Sequence, residues 1–247
     1  MSTDSQHLFI VTGASRGLGR AIAEQLLQPG HRVLGISRQA PPAPPGLEQW
    51  PCDLADALPV ATRLQAWLDN LDGSHFASAT LINNAALLAE PRPLRDADPA
   101  ALSASVRVGL EAPLLLSAAF LRATRQWRAA RRVLHISSGL GRRAMAAQGP
   151  YCAVKAGLDH LARAQALEEA VIDNGAKVVS LAPGIIDTDM QVQLRGADPV
   201  GFPDHNAFVQ MKSGGRLDSP AAAAAKVIAY LQRPDFGQQP VGDVREV

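Results

Sequence analysis

Tyr151 and Lys155 stand four residues apart, a spacing that puts two side chains on one face of a helix. An unperturbed phenol titrates near pH ~10. An ammonium beside it favours the phenolate and lowers that value. The pair is then suited to hand a proton to an oxygen, or to take one, near neutral pH. Tyr-x-x-x-Lys alone describes many helix surfaces. Ser138 narrows the reading: it lies thirteen residues ahead of Tyr151, in His135-Ile136-Ser137-Ser138-Gly139. A hydroxyl at the end of a strand can point at the same oxygen as the phenol. Ser137 is read as a loop cap, and His135, inside the strand, as a packed core residue.

A second group of residues is suited to an anion. Thr12-Gly13-Ala14-Ser15-Arg16-Gly17-Leu18-Gly19 joins a strand-like run to a helix-like one. Gly13 permits a sharp turn, Gly17 a close backbone approach to a pyrophosphate, and Gly19 close packing of helix on sheet. The free N–H groups of the helix start then face the anion. A Gly-rich turn alone is a weak signal; the strand before it and the helix after it are the context that a dinucleotide site needs. An NAD site wants a carboxylate after the second strand for the ribose 2′-OH. This chain has Ser37-Arg38 there, and Arg16 in the loop itself. Two guanidinium groups suit a 2′-phosphate, so NADP(H) is the expected cofactor. The competing view of Arg38 is a solvated loop residue.

These groups need a scaffold that brings strand ends together. Residues 8–12, 32–36, 49–52, 80–82, 132–136, 178–181 and 240–244 read as strands. Residues 17–27, 58–71, 100–123, 151–172 and 220–231 read as helices, with Pro113 inside the third. The segment APPAPPG at 40–46 is a loop, because proline lacks an N–H and fixes φ. Strands without polar alternation, separated by helices, imply a parallel sheet covered on both faces. The expected fold is a single-domain Rossmann-type α/β fold, a doubly wound sheet of about seven strands whose ligand crevice lies at the carboxyl ends. Residues 189–216, irregular and carrying Met190, Phe202, Phe208 and Met211, read as a lid over substrate. The alternative is a structural insertion with its own apolar cluster.

Composition removes other classes. The 247 residues suit one large domain, and a net charge of +1 with interleaved signs does not suit nucleic acid or an anionic membrane. Cys52 and Cys152 lie in no paired spacing, and His75, His160 and His205 show no ligand spacing, so neither disulfide nor metal is expected. The polar start carries no secretory leader and no apolar run nears the ~20 residues of a membrane span. The cytoplasm is the default.

VTGASRGLG, LINNA, ISSG, YCAVK and APGIIDT, in this order, resemble the short-chain dehydrogenase/reductase family over nearly the whole chain. The resemblance implies that Ser138, Tyr151 and Lys155 are catalytic and that Lys155 holds the nicotinamide ribose. It implies cofactor contacts at Asp53, Asn84, Ile186 and Thr188, with Ser15, Leu18, Leu54, Ala85, Pro183 and Gly184 in the same stretches. LEAPLLLS, PYCAVKAGLDHL and APGIIDTDMQVQLR are similar to the sepiapterin reductase and benzil reductase branch, which reduces carbonyls, often dicarbonyls, with NADPH. Two positions depart from the family. Gly109 stands where the family has an asparagine that supports a water relay, and the missing side chain is expected to leave a hole that water fills. Asn83-Asn84-Ala85-Ala86 replaces NNAG. The leading expectation is an NADPH-dependent reductase of ketones or dicarbonyls. Alternatives are a catalytically weak NADP(H)-binding or sensing protein and, with the same nucleotide site, dehydration or epimerisation. Apolar faces at 101–121 and 151–171 suggest a homodimer or homotetramer, as in the family.

Overall fold

The computed structural model describes residues 6–246. The polar residues 1–5, in which no leader is read, lie outside them. In chain order the elements are β1 (Gln6–Thr12), α1 (Gly17–Gln25), β2 (His31–Ser37), β3 (Leu47–Pro51), α2 (Ala57–Asp69), β4 (Phe76–Asn83), α3 (Pro99–Val106) and α4 (Ala112–Ala123). There follow β5 (Ala130–Ile136), α5 (Gly149–Ala170), β6 (Lys177–Ala182), α6 (Asp189–Arg195), α7 (His205–Ser213), α8 (Pro220–Leu231) and β7 (Val241–Asp243).

The seven strands form one parallel sheet in the order β3-β2-β1-β4-β5-β6-β7. Strand order reverses between β1 and β4, where Val11 pairs with Ile82. The crevice at that reversal is where a doubly wound sheet binds ligand. Each face has its own core. Leu8, Leu81, Leu64, Leu116 and Phe120 pack on one side; Val11, Ile22, Val179 and Val227 pack on the other. Strands buried on both faces explain the unbroken apolar runs in the sequence. Truncating one such leucine to alanine costs about 2–5 kcal/mol, so these layers fix the strand ends that carry the site.

The long central helical stretch is not uniform. α3 passes through a π-helical turn, Arg107–Glu111, before α4, and Ala112 N–H donates to Arg107 O, five residues back. Pro113 has no N–H for the carbonyl of Gly109 and its ring would crowd that carbonyl. Widening the turn relieves both, and it brings Val108 to the cavity described below. Together Pro99–Ala123 makes 25 helical residues, apolar and long enough by composition to cross a membrane. It is not one unbroken apolar run, because Arg107, Glu111 and Arg122 interrupt it. Half of its most apolar window is buried inside the fold, with α4 against α2, and that packing accounts for its composition.

Residues 189–216 hold two helices, α6 and α7, joined by turns. Leu194, Ala197, Phe202 and Phe208 form a small core there, with Leu88, Met145 and Met190 packed against it.

Candidate active site

The Gly-rich turn is built by packing before any ligand is considered. Thr12 Oγ1 accepts from the backbone N–H groups of Asn84 at 2.9 Å and Ala85 at 3.0 Å. Asn84 Nδ2 donates back to Thr12 O at 2.9 Å. The start of α1 is packed so tightly on this turn that a Cβ on Gly19 would sit 2.3 Å from both Gly13 O and Asn84 Nδ2. Gly13 itself turns with φ +70°, a conformation that L side chains rarely adopt. Asn84 therefore spends its side-chain N–H on Thr12 while bordering the cavity. α1 begins at Gly17 with no side-chain cap and no acid in its first turn, so its positive end is left for an anion.

At the neighbouring strand end, Ser37 Oγ donates to Gln39 O at 2.6 Å. Arg38 is exposed on the cavity rim and forms no ion pair among the described residues. Arg16 is placed differently: its Nη1 lies 2.8 Å from Asp189 Oδ2, an exposed pair between the Gly-rich turn and α6. Of the two expected phosphate cations, only Arg38 is unpaired. Asp53 Oδ1 accepts from Ala55 N–H at 3.0 Å, shaping the turn after β3.

Lys155 is buried on α5, and its Nζ donates to Ile136 O at 2.7 Å. Tyr151, one turn earlier, is half-buried, with Nζ 5.4 Å from its ring centroid. Ser138 Oγ accepts from Leu140 N–H at 3.2 Å, capping the 3₁₀ turn Gly139–Gly141. Burial pushes the phenol up to about 12, against the pull of the Ser138 hydroxyl beside it. The lowering expected from the ammonium is not seen: desolvation of the phenolate outweighs the Ser138 hydroxyl, and Lys155 Nζ stays 5.4 Å from the ring centroid. Burial likewise brings Lys155 down to about 8, with Asp159 opposing it. The resting site thus holds a protonated phenol, the form that donates.

Two neighbours separate core from site. His135 is fully buried; Nε2 meets Gln165 Oε1 at 2.9 Å and Nδ1 meets Asn83 Nδ2 at 3.3 Å. Burial lowers its pKa to about 4, so it is a neutral core residue as expected. Ser137 is not the loop cap. Its hydroxyl donates to buried Asp159 Oδ1 at 2.6 Å, and capping falls to Ser138.

One cavity of about 710 Å³ joins the two halves, a size in the range of cofactor and ligand sites. Gly13, Ser15, Arg16, Gly17, Leu18 and Gly19 line it at one end, with Arg38, Asp53 and Leu54. Asn84, Ala85, Pro183, Gly184, Ile186 and Thr188 line its middle wall, and Ser138, Tyr151 and Lys155 its other end. Every residue singled out from the sequence for catalysis or cofactor contact therefore borders the same space. Sequence reasoning missed Arg143 and the buried Gln148 on its wall, and Asp159 behind it. Gln148 is the N-cap of α5, just outside the helix, and left no such signal, whereas Asp159 follows Lys155 by four, so helical spacing held a signal for it.

The position beside Gly109 is not a hole. A Cβ built there would lie 2.5 Å from Val154 Cγ1. Val154, one residue before Lys155, fills the space that the family asparagine would take, which overturns the expected water-filled gap.

A nicotinamide dinucleotide fits these residues: a positive φ at Gly13 and Gly17, an uncapped helix start and a free Arg38 lie along one groove that ends at Tyr151. Comparison with known proteins agrees. The family described as short chain dehydrogenase matches residues 7–198, and this chain belongs to that family. It is 33% identical over 237 residues to a benzil reductase ((S)-benzoin forming) of Bacillus cereus, covering 93% of this chain and 95% of that one. It is 31% identical over 245 residues to the sepiapterin reductase of Meriones unguiculatus, with 92% of each chain covered. A solved short-chain dehydrogenase/reductase from Burkholderia vietnamiensis shares 34% identity over 99% of both chains, with a TM-score of 0.64. The chain is an oxidoreductase acting on carbonyl or alcohol groups with a nicotinamide cofactor.

Proposed function

We propose that this protein is an NADPH-dependent carbonyl reductase for small or aromatic ketones, with vicinal dicarbonyls among its best substrates and Tyr151 as general acid. The observation that carries the reading is the single cavity running from Arg38 through the Gly-rich turn to Ser138, Tyr151 and Lys155. A nicotinamide bound there supplies the hydride that the carbonyl carbon accepts. Tyr151 gives its proton to the carbonyl oxygen, and the Ser138 hydroxyl donates to the same oxygen and polarises the C=O bond. Lys155 commits one of three N–H bonds to Ile136 O, which leaves two for ribose hydroxyls and its charge for the developing phenolate.

NADPH is preferred over NADH because no acid follows β2 and Arg38 is free to meet a 2′-phosphate. Leu88, Met145, Met190 and Phe208 give the substrate end an apolar wall suited to a flat, desolvated ligand. Benzil, in the name of one relative, is an aromatic 1,2-diketone. Residues 189–216 act as the lid over it. Exposed Leu114, Leu167 and Val171, on or next to α4 and α5, suit pairing of subunits in a homodimer or homotetramer, working in the cytoplasm. The filled position beside Gly109 favours one competing reading, a weak or non-catalytic NADP(H) sensor.

The test is loss of NADPH absorbance against a panel of aldehydes, ketones and 1,2-diketones. Turnover with diketones supports the reductase; NADPH binding without any turnover supports the sensor. Turnover confined to sugars or acyl thioesters contradicts the substrate class. Calorimetry with both oxidised cofactors should give tighter NADP⁺ binding. Arg38→Asp should weaken NADP⁺ by about tenfold or more, the loss expected for a charge-assisted contact, and shift preference toward NAD⁺. Equal affinities in the wild type would contradict the cofactor assignment.

A further inference from the structure

Asp159 lies one turn beyond Lys155 on α5, only 2% exposed, and no step above uses it. A buried carboxylate is costly unless donors and a counter-charge meet it. Oδ1 accepts from Ser137 Oγ at 2.6 Å and from Ser180 Oγ at 2.7 Å, hydroxyls of the adjacent strands β5 and β6. Oδ2 has no hydrogen bond among the described residues and lies 3.4 Å from Arg142 Nε. Arg142 also reaches β7: Nη2 donates to Gly242 O at 2.8 Å, and Nη1 is 3.8 Å from Asp243 Oδ2. Asp243 is paired in turn with Arg245.

Two residues one turn apart on α5 thus grip two consecutive residues at the end of β5. Lys155 holds Ile136 O at 2.7 Å and Asp159 holds the Ser137 hydroxyl at 2.6 Å; Ser138 comes next. The turn that follows is seated on the same pair. A Cβ on Gly141 would lie 2.8 Å from Asp159 Oδ2 and 2.9 Å from Lys155 O.

We propose that Asp159 is a positioning residue of this site. It locks the strand end that carries Ser138 against α5, and its charge sustains the Lys155 ammonium inside the fold, an assignment that rests on Ser138, Tyr151 and Lys155 being the reacting set. A clamp alone does not need a carboxylate, because an amide oxygen also accepts from two hydroxyls. Charge is needed to oppose the burial that draws Lys155 toward its neutral form, and Asp159, one turn along α5 and holding the residue next to the one Lys155 holds, is the carboxylate placed to do so. Other titratable groups nearby do not take this role. Tyr151 on α5 is held protonated, and His135 on β5 is neutral. Arg142, with Asp243 and Arg245 behind it, meets Asp159.

The chain has four lysines, Lys155, Lys177, Lys212 and Lys226, so NMR of carbon-13-labelled lysine can follow each, with Lys155→Met assigning the signal. Lys155 should titrate near 8 in the wild type. In Asp159→Asn that titration should fall by about one unit or more, and kcat at neutral pH by about tenfold or more, with KM little changed. Ser137→Ala should lower kcat and leave the titration in place. Arg142→Gln, at a side chain 32% exposed, removes the charge that competes for Asp159 and should move the titration up. An unmoved Lys155 titration in a folded Asp159→Asn overturns the assignment, as does wild-type kcat in that variant. If Asp159→Asn does not fold, an unmoved titration in Arg142→Gln overturns it. Failure of the underlying reading shows separately, as turnover retained by Tyr151→Phe whatever Lys155 does.

Discussion

The wall formed by β5 and α5 and the segment at 189–216 border the same cavity, and they are held in opposite ways. The wall's polar groups are buried: Lys155, Asp159, Ser137 and His135 are all at most 3% exposed. Each has a partner, since an unpaired buried polar group is costly. The segment at 189–216 is tied to the body by surface ion pairs. Arg16 meets Asp189 with both side chains at least two-thirds exposed. Asp187, just ahead of the segment, pairs with Lys212 on α7 and Arg195 on α6. Exposed pairs contribute about 0–1 kcal/mol each. Its small core of Leu194, Ala197, Phe202 and Phe208 keeps it intact as a unit and meets the body only at its edge, where Leu88 and Met145 pack against it. The proposed roles suit this difference: a proton-transfer site needs geometry fixed to a fraction of an ångström, and a lid needs looser attachment.

Acid should break the wall before the segment above it. His135 has its pKa lowered from 6.5 to about 4. The unfolded chain takes up a proton through that window and the folded chain does not, so stability is complete above pH 6.5 and lost as pH falls toward 4. The loss is on the order of 3 kcal/mol, measured by urea unfolding at both ends of the window. His135→Gln should flatten the dependence. An equal slope in wild type and variant would place the acid sensitivity elsewhere.

Gly109→Asn sharpens the comparison on the α4 side of the wall. The new side chain meets Val154, and overpacking of this kind costs about 1–3 kcal/mol. The variant should melt lower and turn over no faster than wild type, and adding Val154→Ala should recover part of the lost stability. A Gly109→Asn enzyme that is both stable and faster would mean that Val154 yields readily.

The smallest effect belongs to the segment's anchors. Asp187→Asn should change global stability by less than about 1 kcal/mol, raise KM by a few-fold and leave single-turnover chemistry untouched. High salt should imitate it in the wild type. A large fall in the chemical rate would show that the segment positions reacting groups and does more than cover them.

Much of the fold was legible because its signals are local. Parallel strands buried on both faces leave unbroken apolar runs, and a Gly-rich turn between strand and helix has few other uses. Tyr151 and Lys155 were legible because helical spacing puts them on one face, and Ser138 because it ends a strand. What escaped depends on packing between distant residues. Ser137 and Ser180 meet at Asp159 only once β5, β6 and α5 are assembled. The π turn follows from Pro113 acting on a carbonyl four residues back, and Val154 fills the space at Gly109 only when α5 packs beside it. The direction of the Tyr151 shift also depends on burial, which spacing does not reveal.

The central claim is that Tyr151 is the proton donor of a site whose cofactor groove is complete without it. Tyr151→Phe keeps the ring and removes only the hydroxyl, so NADPH affinity and diketone turnover should be measured together on this variant. Affinity within about threefold of wild type, with kcat lowered by about 10²–10⁴, is the expected result. Turnover near that of the wild type would contradict the account and move the acid role to another group.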